Sequence, residues 1–351
     1  MSSINLQQLV RKNIQELTPY SAARNEYQST SNSTLFLDAN ENPFETAFNR
    51  YPDPNQTKLK NKLSRLKGVC TDQILLGNGS DELLDLIIRA FCEPQQDNLI
   101  ITPPTYGMYE VLARINNVFV KEVPLNSSFK LKTEKIIQAA THQTKLTILC
   151  SPNNPTGNTL AKDDIEILLQ QQKGLLIIDE AYIDFSDKES WLTKLNDFPN
   201  LIIIQTLSKA YGMAGIRLGI AYASPQIIAV LQKIKPPYNV NSLTQKKAQK
   251  KIIAQHKLKK EIYLLTTEKQ QMIDRLKAIS FVDHIYPSDT NFLLVRVDNA
   301  VLRYQQLIKY GIVVRDRSKE KHCNNCLRVS IGTPKENAYL LSILKNLQEQ
   351  L

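Results

Sequence analysis

The chain has 351 residues, with 44 Lys and Arg against 34 Asp and Glu and a formal charge of +10, a length that predicts about two domains and a sizeable core. Apolar residues make up 42% and charged residues 22%, which excludes a disordered or collagen-like chain, and no apolar run nears the ~18 residues that would cross a bilayer. The first twenty residues lack a continuous apolar stretch and include Glu16, so no secretory signal or transit peptide is read and the expected compartment is the cytoplasm.

An N-terminal arm is expected over residues 1–40, packing with a C-terminal domain. From about 70 to 220, short apolar runs alternate with helical periodicity, the pattern of an α/β fold with a mainly parallel sheet wrapped by helices. Strands are predicted at 73–76, 98–101, 118–120, 146–149, 175–178 and 201–204, with helices at 81–91, 106–115 and 162–171. The pattern breaks at Pro236 and Pro237. A long helix rich in Lys and Gln follows, then strands at 291–295 and 327–331. These divide the chain into a large domain over 41–240 and a smaller α+β domain over 241–351.

The basic stretch at 246–260 interleaves its lysines with Ile252, Ile253 and Leu258 at near-helical spacing. It reads as a helix with one wet face, and no nucleic-acid partner is expected. The five cysteines are too few and too scattered for a disulfide scaffold. Cys323 and Cys326 form a C-x-x-C, but no second ligand pair lies at zinc-binding spacing, so the motif reads as a loop or strand entry and no metal is expected.

Glycine is scarce, and eight of the eleven fall between Gly77 and Gly219. Gly77-Asn78-Gly79-Ser80-Asp81 follows a strand and opens an apolar helix, which turns free N–H groups and the positive end of a helix dipole toward an anion. Ser80 or Asp81 can equally serve as an N-cap. Ser151-Pro152-Asn153-Asn154-Pro155-Thr156-Gly157 makes a rigid turn after another strand, and an amide there can reach a ligand oxygen. Asp179 ends a buried strand, where its charge is costly without a partner. Thr206-Leu207-Ser208-Lys209 follows the next strand and presents Lys209 near Ser208 and Arg217. An amine, a carboxylate, an amide and an anion cradle at the strand ends of one sheet are the parts that hold a pyridine aldehyde phosphate, with the amine for a Schiff base and the acid for the ring nitrogen.

At this point the chain resembles the fold-type I aminotransferases that use pyridoxal 5′-phosphate, and more closely the histidinol-phosphate aminotransferase family. The resemblance runs from Leu17-Thr18-Pro19-Tyr20 to Leu327-Arg328-Val329-Ser330-Ile331-Gly332. It includes Arg50-Tyr51-Pro52, Pro103-Pro104-Thr105-Tyr106-Gly107-Met108-Tyr109, Asp179-Glu180-Ala181-Tyr182 and Val314-Arg315-Asp316. It implies that Lys209 forms the Schiff base and moves the proton, and that Asp179 pairs with the ring nitrogen. It implies that Asn154 and Tyr182 bond the ring hydroxyl and that Tyr106 stacks on the ring. Gly79, Ser80, Asp81, Ser208 and Arg217 would surround the phosphate, with Tyr51 donated across a homodimer interface. Arg328 and Arg315, helped by Tyr20 and Asn154, would clamp the anionic substrates, histidinol phosphate and 2-oxoglutarate or glutamate, for which arginine forks are suited. The implied reaction is reversible transamination in histidine biosynthesis, giving imidazole acetol phosphate and glutamate. The rivals are an aromatic-amino-acid aminotransferase or a phosphothreonine decarboxylase on the same scaffold, and a non-catalytic nucleic-acid-binding regulator.

Overall fold

The central strands are unbroken apolar runs because both of their faces are covered, as a parallel sheet between helical layers requires. The computed structural model describes residues 5–20 and 35–349. Its larger sheet comprises β1 (Ile74–Gly77), β2 (Asn98–Ile101), β3 (Phe119–Glu122), β4 (Thr144–Cys150), β5 (Leu175–Asp179), β6 (Leu201–Thr206) and β7 (Gly219–Ala223). The order across the sheet is β1-β7-β6-β5-β4-β2-β3. Strands β6, β5, β4, β2 and β3 run parallel, and β7 alone is reversed between β6 and β1. The carboxyl ends of β1, β2, β4, β5 and β6 therefore meet on one edge, the edge at which α/β sheets bind ligands.

Strand alternation divides the interior cleanly. Leu76, Leu149, Ile178 and Ile203 point into one hydrophobic layer. Leu75, Ile148, Ile177 and Ile202 point into the other, with the apolar face of the Ser80–Phe91 helix. The predicted α/β architecture is observed. The predicted strand at 118–120 starts at Phe119 and runs out to Glu122 as the half-exposed sheet edge, and β7 is an element the sequence did not announce.

The second sheet is antiparallel throughout, ordered β10-β11-β9-β8, from β8 (Val282–Ile285), β9 (Phe292–Val297), β10 (Arg315–Asp316) and β11 (Cys326–Ser330). Leu293, Val295 and Val297 of β9 bury against Met272, Leu276 and the Pro334–Glu349 helix. Phe292 and Leu294, on the opposite face of that strand, join the larger sheet's hydrophobic layer.

The basic region is two helices, Ser242–Ile253 and Gln255–Leu276, because Ala254 leaves helical geometry at φ −80 and ψ 49. The expectation that the N-terminal arm joins the small domain does not hold for its first described residues. Val10 and Ile14 bury in the large sheet's second layer, the Arg11 N–H donates to the Ala90 carbonyl at 3.0 Å, and Arg11 pairs with Glu93 at 3.1 Å. The apolar pair is covered there while the cation between them meets Glu93, which fixes this segment on the large sheet's layer. The remainder of the arm at 1–4 and 21–34 lies outside the described residues. Among the described residues no helix is long and apolar enough to cross a membrane.

One contact fixes where the anion cradle sits. Gly77 pairs with Gly219 in the β1–β7 ladder, and a Cβ built on Gly219 would lie 2.4 Å from the carbonyl carbon of Gly79. Backbone meets backbone there, so a methyl group cannot be accommodated by a side-chain rotation. Gly219→Ala should therefore lose about 3 kcal/mol of stability, read as a lowered urea midpoint with an unchanged slope; a midpoint equal to that of the parent protein would show that the cradle is not held by this approach.

Candidate active site

The cradle forms where β1 hands over to the Ser80–Phe91 helix. Gly79 occupies the N-cap position at φ 87 and ψ 167 with no side-chain cap bond, so neither Ser80 nor Asp81 is spent as a cap. The helix start keeps its N–H groups for a ligand. Arg217, itself at φ 53, covers the loop so closely that a Cβ on Gly79 would fall 2.6 Å from its Nη2. Asp81 holds two neighbours: it lies 3.9 Å from Arg217 Nη2, and its Oδ1 accepts the Tyr106 hydroxyl at 3.2 Å. Ser208 sits on the next strand's exit, where Thr206 Oγ1 donates to Ser208 Oγ at 3.0 Å.

Asp179 ends β5 in the middle of this edge and is buried. Its Oδ2 accepts the Tyr109 hydroxyl at 2.7 Å, and its Oδ1 accepts the Ala181 N–H at 3.0 Å. Burial pushes its carboxyl up to about 6, and the hydrogen bonds from Tyr109 and Ala181 pull it back only in part. Tyr109 is wholly buried, and its own phenol is held far above the ordinary value by burial and by Asp179, so it stays a neutral donor. It stacks edge-on against Tyr106, 5.5 Å between centroids.

Lys209 Nζ lies over the Tyr182 ring, 5.5 Å from its centroid. Burial lowers the ammonium pKa, the positive charge of Arg328 lowers it further, and Asp179 and Asp81 oppose both. An amine so placed loses its proton more readily than a surface lysine. Tyr182 is buried against Phe292, and burial raises its phenol.

The paired asparagines divide their labour. Asn153 is consumed by the turn: its Nδ2 donates to the Pro104 carbonyl at 2.9 Å and to Thr156 Oγ1 at 2.6 Å, while its Oδ1 accepts from Thr105. Asn154 instead accepts Arg328 Nη1 on its Oδ1. Arg328 stands on β11, so this bond joins the two sheets at the site. Arg315 is its cross-strand partner and is exposed.

The structure thus brings together Gly79, Ser80, Asp81, Tyr106, Asn154, Asp179, Tyr182, Ser208, Lys209, Arg217 and Arg328. It leaves Tyr51 apart and half exposed, stacked on Tyr238 at 4.5 Å. Tyr20 is exposed next to residues outside the described set.

The family model for aminotransferase class I and II matches residues 23–344. The chain belongs to this aminotransferase family. A histidinol-phosphate aminotransferase of Flavobacterium johnsoniae is 52% identical over 346 residues, 98% of this chain and 99% of the relative. Among solved structures, the histidinol-phosphate aminotransferase from Clostridium acetobutylicum superposes with a TM-score of 0.80 at 26% identity, covering 86% of this chain and 91% of the other. The enzyme from Sinorhizobium meliloti, solved in complex with pyridoxal-5′-phosphate, gives a TM-score of 0.77 at 26% identity over 85% and 84% of the two chains.

For an aminotransferase, sequence reasoning missed one member of the buried site. Tyr109 stood only as a letter in the Tyr-Gly-Met-Tyr motif. Its spacing of three from Tyr106 is the signal that was available, since residues three apart at a helix start share a face.

The burial of Asp179 has a consequence for stability. A carboxyl raised from 3.8 to about 6 favours the fold fully below the ordinary value, and that contribution is lost as pH rises through the folded one. At roughly 1.4 kcal/mol per pH unit the loss is about 3 kcal/mol. In protein stripped of any cofactor, Asp179→Asn should match the parent near pH 4 and exceed it by about 3 kcal/mol at pH 8, as measured by urea unfolding across that range. A stability difference that does not change with pH would mean Asp179 is not ionised against its surroundings.

Proposed function

We propose that this aminotransferase binds pyridoxal 5′-phosphate and transfers the amino group of histidinol phosphate to 2-oxoglutarate, giving imidazole acetol phosphate and glutamate in histidine biosynthesis. The observation that carries the reading is the placement of Lys209, 5.5 Å over the Tyr182 ring, beside the buried carboxylate of Asp179 at the mouth of the cradle. The relatives' names and their near-complete overlap with this chain support the choice of substrate.

The residues fit the cofactor's three polar ends. The loop at Gly79 has room for an anion only because it lacks a Cβ, and the uncapped helix start with Arg217, Ser80, Asp81 and Ser208 would hold a phosphate. Asp179 is the acceptor for a protonated ring nitrogen, and ionising against that cation would offset the burial that raises its carboxyl. Asn154 and Tyr182 would bond the ring hydroxyl, while Tyr106 would lie on the ring face. When bound, the cofactor supplies an aldehyde that condenses with amines and a ring that accepts electrons.

Lys209 is then a base at the reacting carbon. Burial and the charge of Arg328 make its proton easier to lose than a surface lysine's, as suits an amine that takes a proton from one carbon and returns it to its neighbour. Asp179, held by Tyr109 from behind, keeps the opposite end of the site negative. Arg328 would fork onto the carboxylate or phosphate of each substrate in turn, with Arg315 and Tyr20 completing the clamp. Arginine suits both anions because its planar donors match carboxylate and phosphate oxygens.

We read the working form as a cytoplasmic homodimer. Leu35, Leu37, Phe44 and Phe48, 62–79% exposed, cluster in sequence around Tyr51, and apolar side chains gathered at one stretch of surface favour a protein interface. Across it Tyr51 would reach the neighbour's phosphate.

Two expectations test the reading. Lys209→Ala should lose turnover by on the order of 10⁴-fold and leave no borohydride-fixed adduct on the 209 peptide; a trapped adduct elsewhere with normal rates ends the assignment of Lys209. Arg328→Lys should raise KM for histidinol phosphate and for 2-oxoglutarate together by roughly 10- to 100-fold. A rise for one substrate alone would separate their binding sites, and faster turnover of phenylalanine than of histidinol phosphate in the parent enzyme would move the substrate to the aromatic amino acids.

A further inference from the structure

Outside the catalytic edge, the small sheet carries a row of side chains that the transamination does not use. Cys326 opens β11 and pairs across the ladder with Arg296 of β9. On its other side the Arg317 N–H donates to the Cys326 carbonyl at 2.8 Å. The ladder therefore sets the Arg296 guanidinium beside the Cys326 thiol, with the Arg317 backbone on the other side. Both flanking arginines bury an Nε that has no hydrogen-bond partner. Arg317 spends Nη1 on Glu320 at 2.9 Å, and Arg296 spends Nη2 on the Tyr286 hydroxyl. Buried donors without acceptors are costly, and a thiolate at Cys326 is an acceptor for Arg296, its cross-strand neighbour.

The second sulfur is one turn away. The Cys326 N–H donates to the Cys323 carbonyl at 3.0 Å, closing a four-residue turn through Asn325 at φ 54. Such a turn holds its end Cα atoms under about 7 Å apart, the range a disulfide spans. Both cysteines are fully buried and belong to the same hydrophobic cluster, while His322, Asn324 and Asn325 between and beside them are exposed. The two thiols act on each other's ionisation. Cys323 hydrogen bonding and then Arg296 draw the Cys326 thiol below its ordinary value, and Cys323 is pushed up by Cys326, by burial and by Glu320. The asymmetry gives the pair one nucleophile and one reserve of proton.

We propose that Cys326 and Cys323 form a hydroperoxide-reactive dithiol in which Cys326 is the attacking sulfur and Cys323 closes the disulfide. The Cys326 thiolate attacks the outer peroxide oxygen; the S–O bond forms, the O–O bond breaks, and the leaving hydroxide takes a proton to become water. Cys326 is then a sulfenic acid, oxidised by two electrons, and the peroxide is reduced by the same two. The Cys323 sulfur attacks Cys326, the S–O bond breaks, and the departing hydroxide leaves as water with the Cys323 proton. Two thiols and one hydrogen peroxide give one disulfide and two waters, and a dithiol reductant reverses the change. Complete burial selects a compact oxidant such as hydrogen peroxide over a bulky disulfide. The site stands two residues from Arg328, yet it does not depend on what the enzyme transaminates.

The test is made on the intact reduced enzyme, exposed to hydrogen peroxide, alkylated and mapped by mass spectrometry. The peptide holding both cysteines should lose two hydrogens and regain them with dithiothreitol, while buried Cys92 and Cys150 remain alkylatable after unfolding. Cys323→Ser should stop at a Cys326 adduct with dimedone, and Cys326→Ser should leave Cys323 unoxidised. Arg296→Met should slow adduct formation at pH 7 by at least about 10-fold through loss of thiolate. The proposal falls if the pair stays fully alkylatable under conditions that oxidise exposed Cys70, if Cys323 forms the adduct in the Cys326→Ser protein, or if oxidised glutathione modifies the pair faster than peroxide does.

Discussion

The catalytic edge depends on a carboxylate kept where a carboxylate is least welcome. Asp179 sits at the end of the central strand β5, between strands that are buried almost throughout. The fold tolerates it through two donors, Tyr109 and the Ala181 N–H, which satisfy its oxygens without neutralising its charge. A cation brought by a ligand would complete what the apoprotein leaves incomplete. A buried acid of this kind is what a fold gives up stability for where chemistry requires a charge, and Tyr109 is the side chain that holds it by hydrogen bond.

Around that point the topology does the assembling. Reversal of β7 between β1 and β6 keeps β1 parallel to the catalytic strands while bringing Gly219 against Gly79. The anion cradle is thereby set beside the strand that delivers Ser208 and Lys209. Had β1 paired directly with β6, the loop at Gly79 would lack the short strand that spaces it from Lys209. Arg217, in the turn that enters β7, uses the same reversal to fold over the cradle.

Much of this was legible in the sequence because parallel strands covered on both faces must be continuous apolar runs, and all six strands predicted in the larger sheet lie within about one residue of observed ones at their starts, or inside them. Candidate site residues at or just beyond the ends of such runs, Asn154, Asp179 and Lys209, were therefore placed by the strands themselves. β7 was not legible: Gly-Ile-Ala-Tyr-Ala is short and small, and its antiparallel pairing is a tertiary fact. Nor was the break at Ala254, where helical periodicity continues through a residue that leaves the helix. Tyr109 was hidden for a different reason, since its role lies in a bond to a residue 70 positions away, and no local pattern marks such a partner. The C-x-x-C reads in the sequence as a loop or strand entry, and only the ladder brings Arg296 beside it.

The bond between Arg328 and Asn154 explains why the two sheets act as one site. The small sheet presents one apolar face to its own helices and turns the other, with Phe292, Leu294 and Arg328, toward the larger sheet. On that second face Arg315 pairs with Arg328, Arg317 follows two residues later, and both reduce the proton affinity of Arg328 by like charge, after burial. Glu320, gripped by Arg317, is the nearby carboxylate that offsets them. Three guanidiniums against one carboxylate leave a positive excess around Arg328. An anion bound beside Arg328 would relieve that repulsion whether its charge is carried on a carboxylate or on a phosphate, and the bond to Asn154 holds the guanidinium at the junction of the two sheets where it would do so.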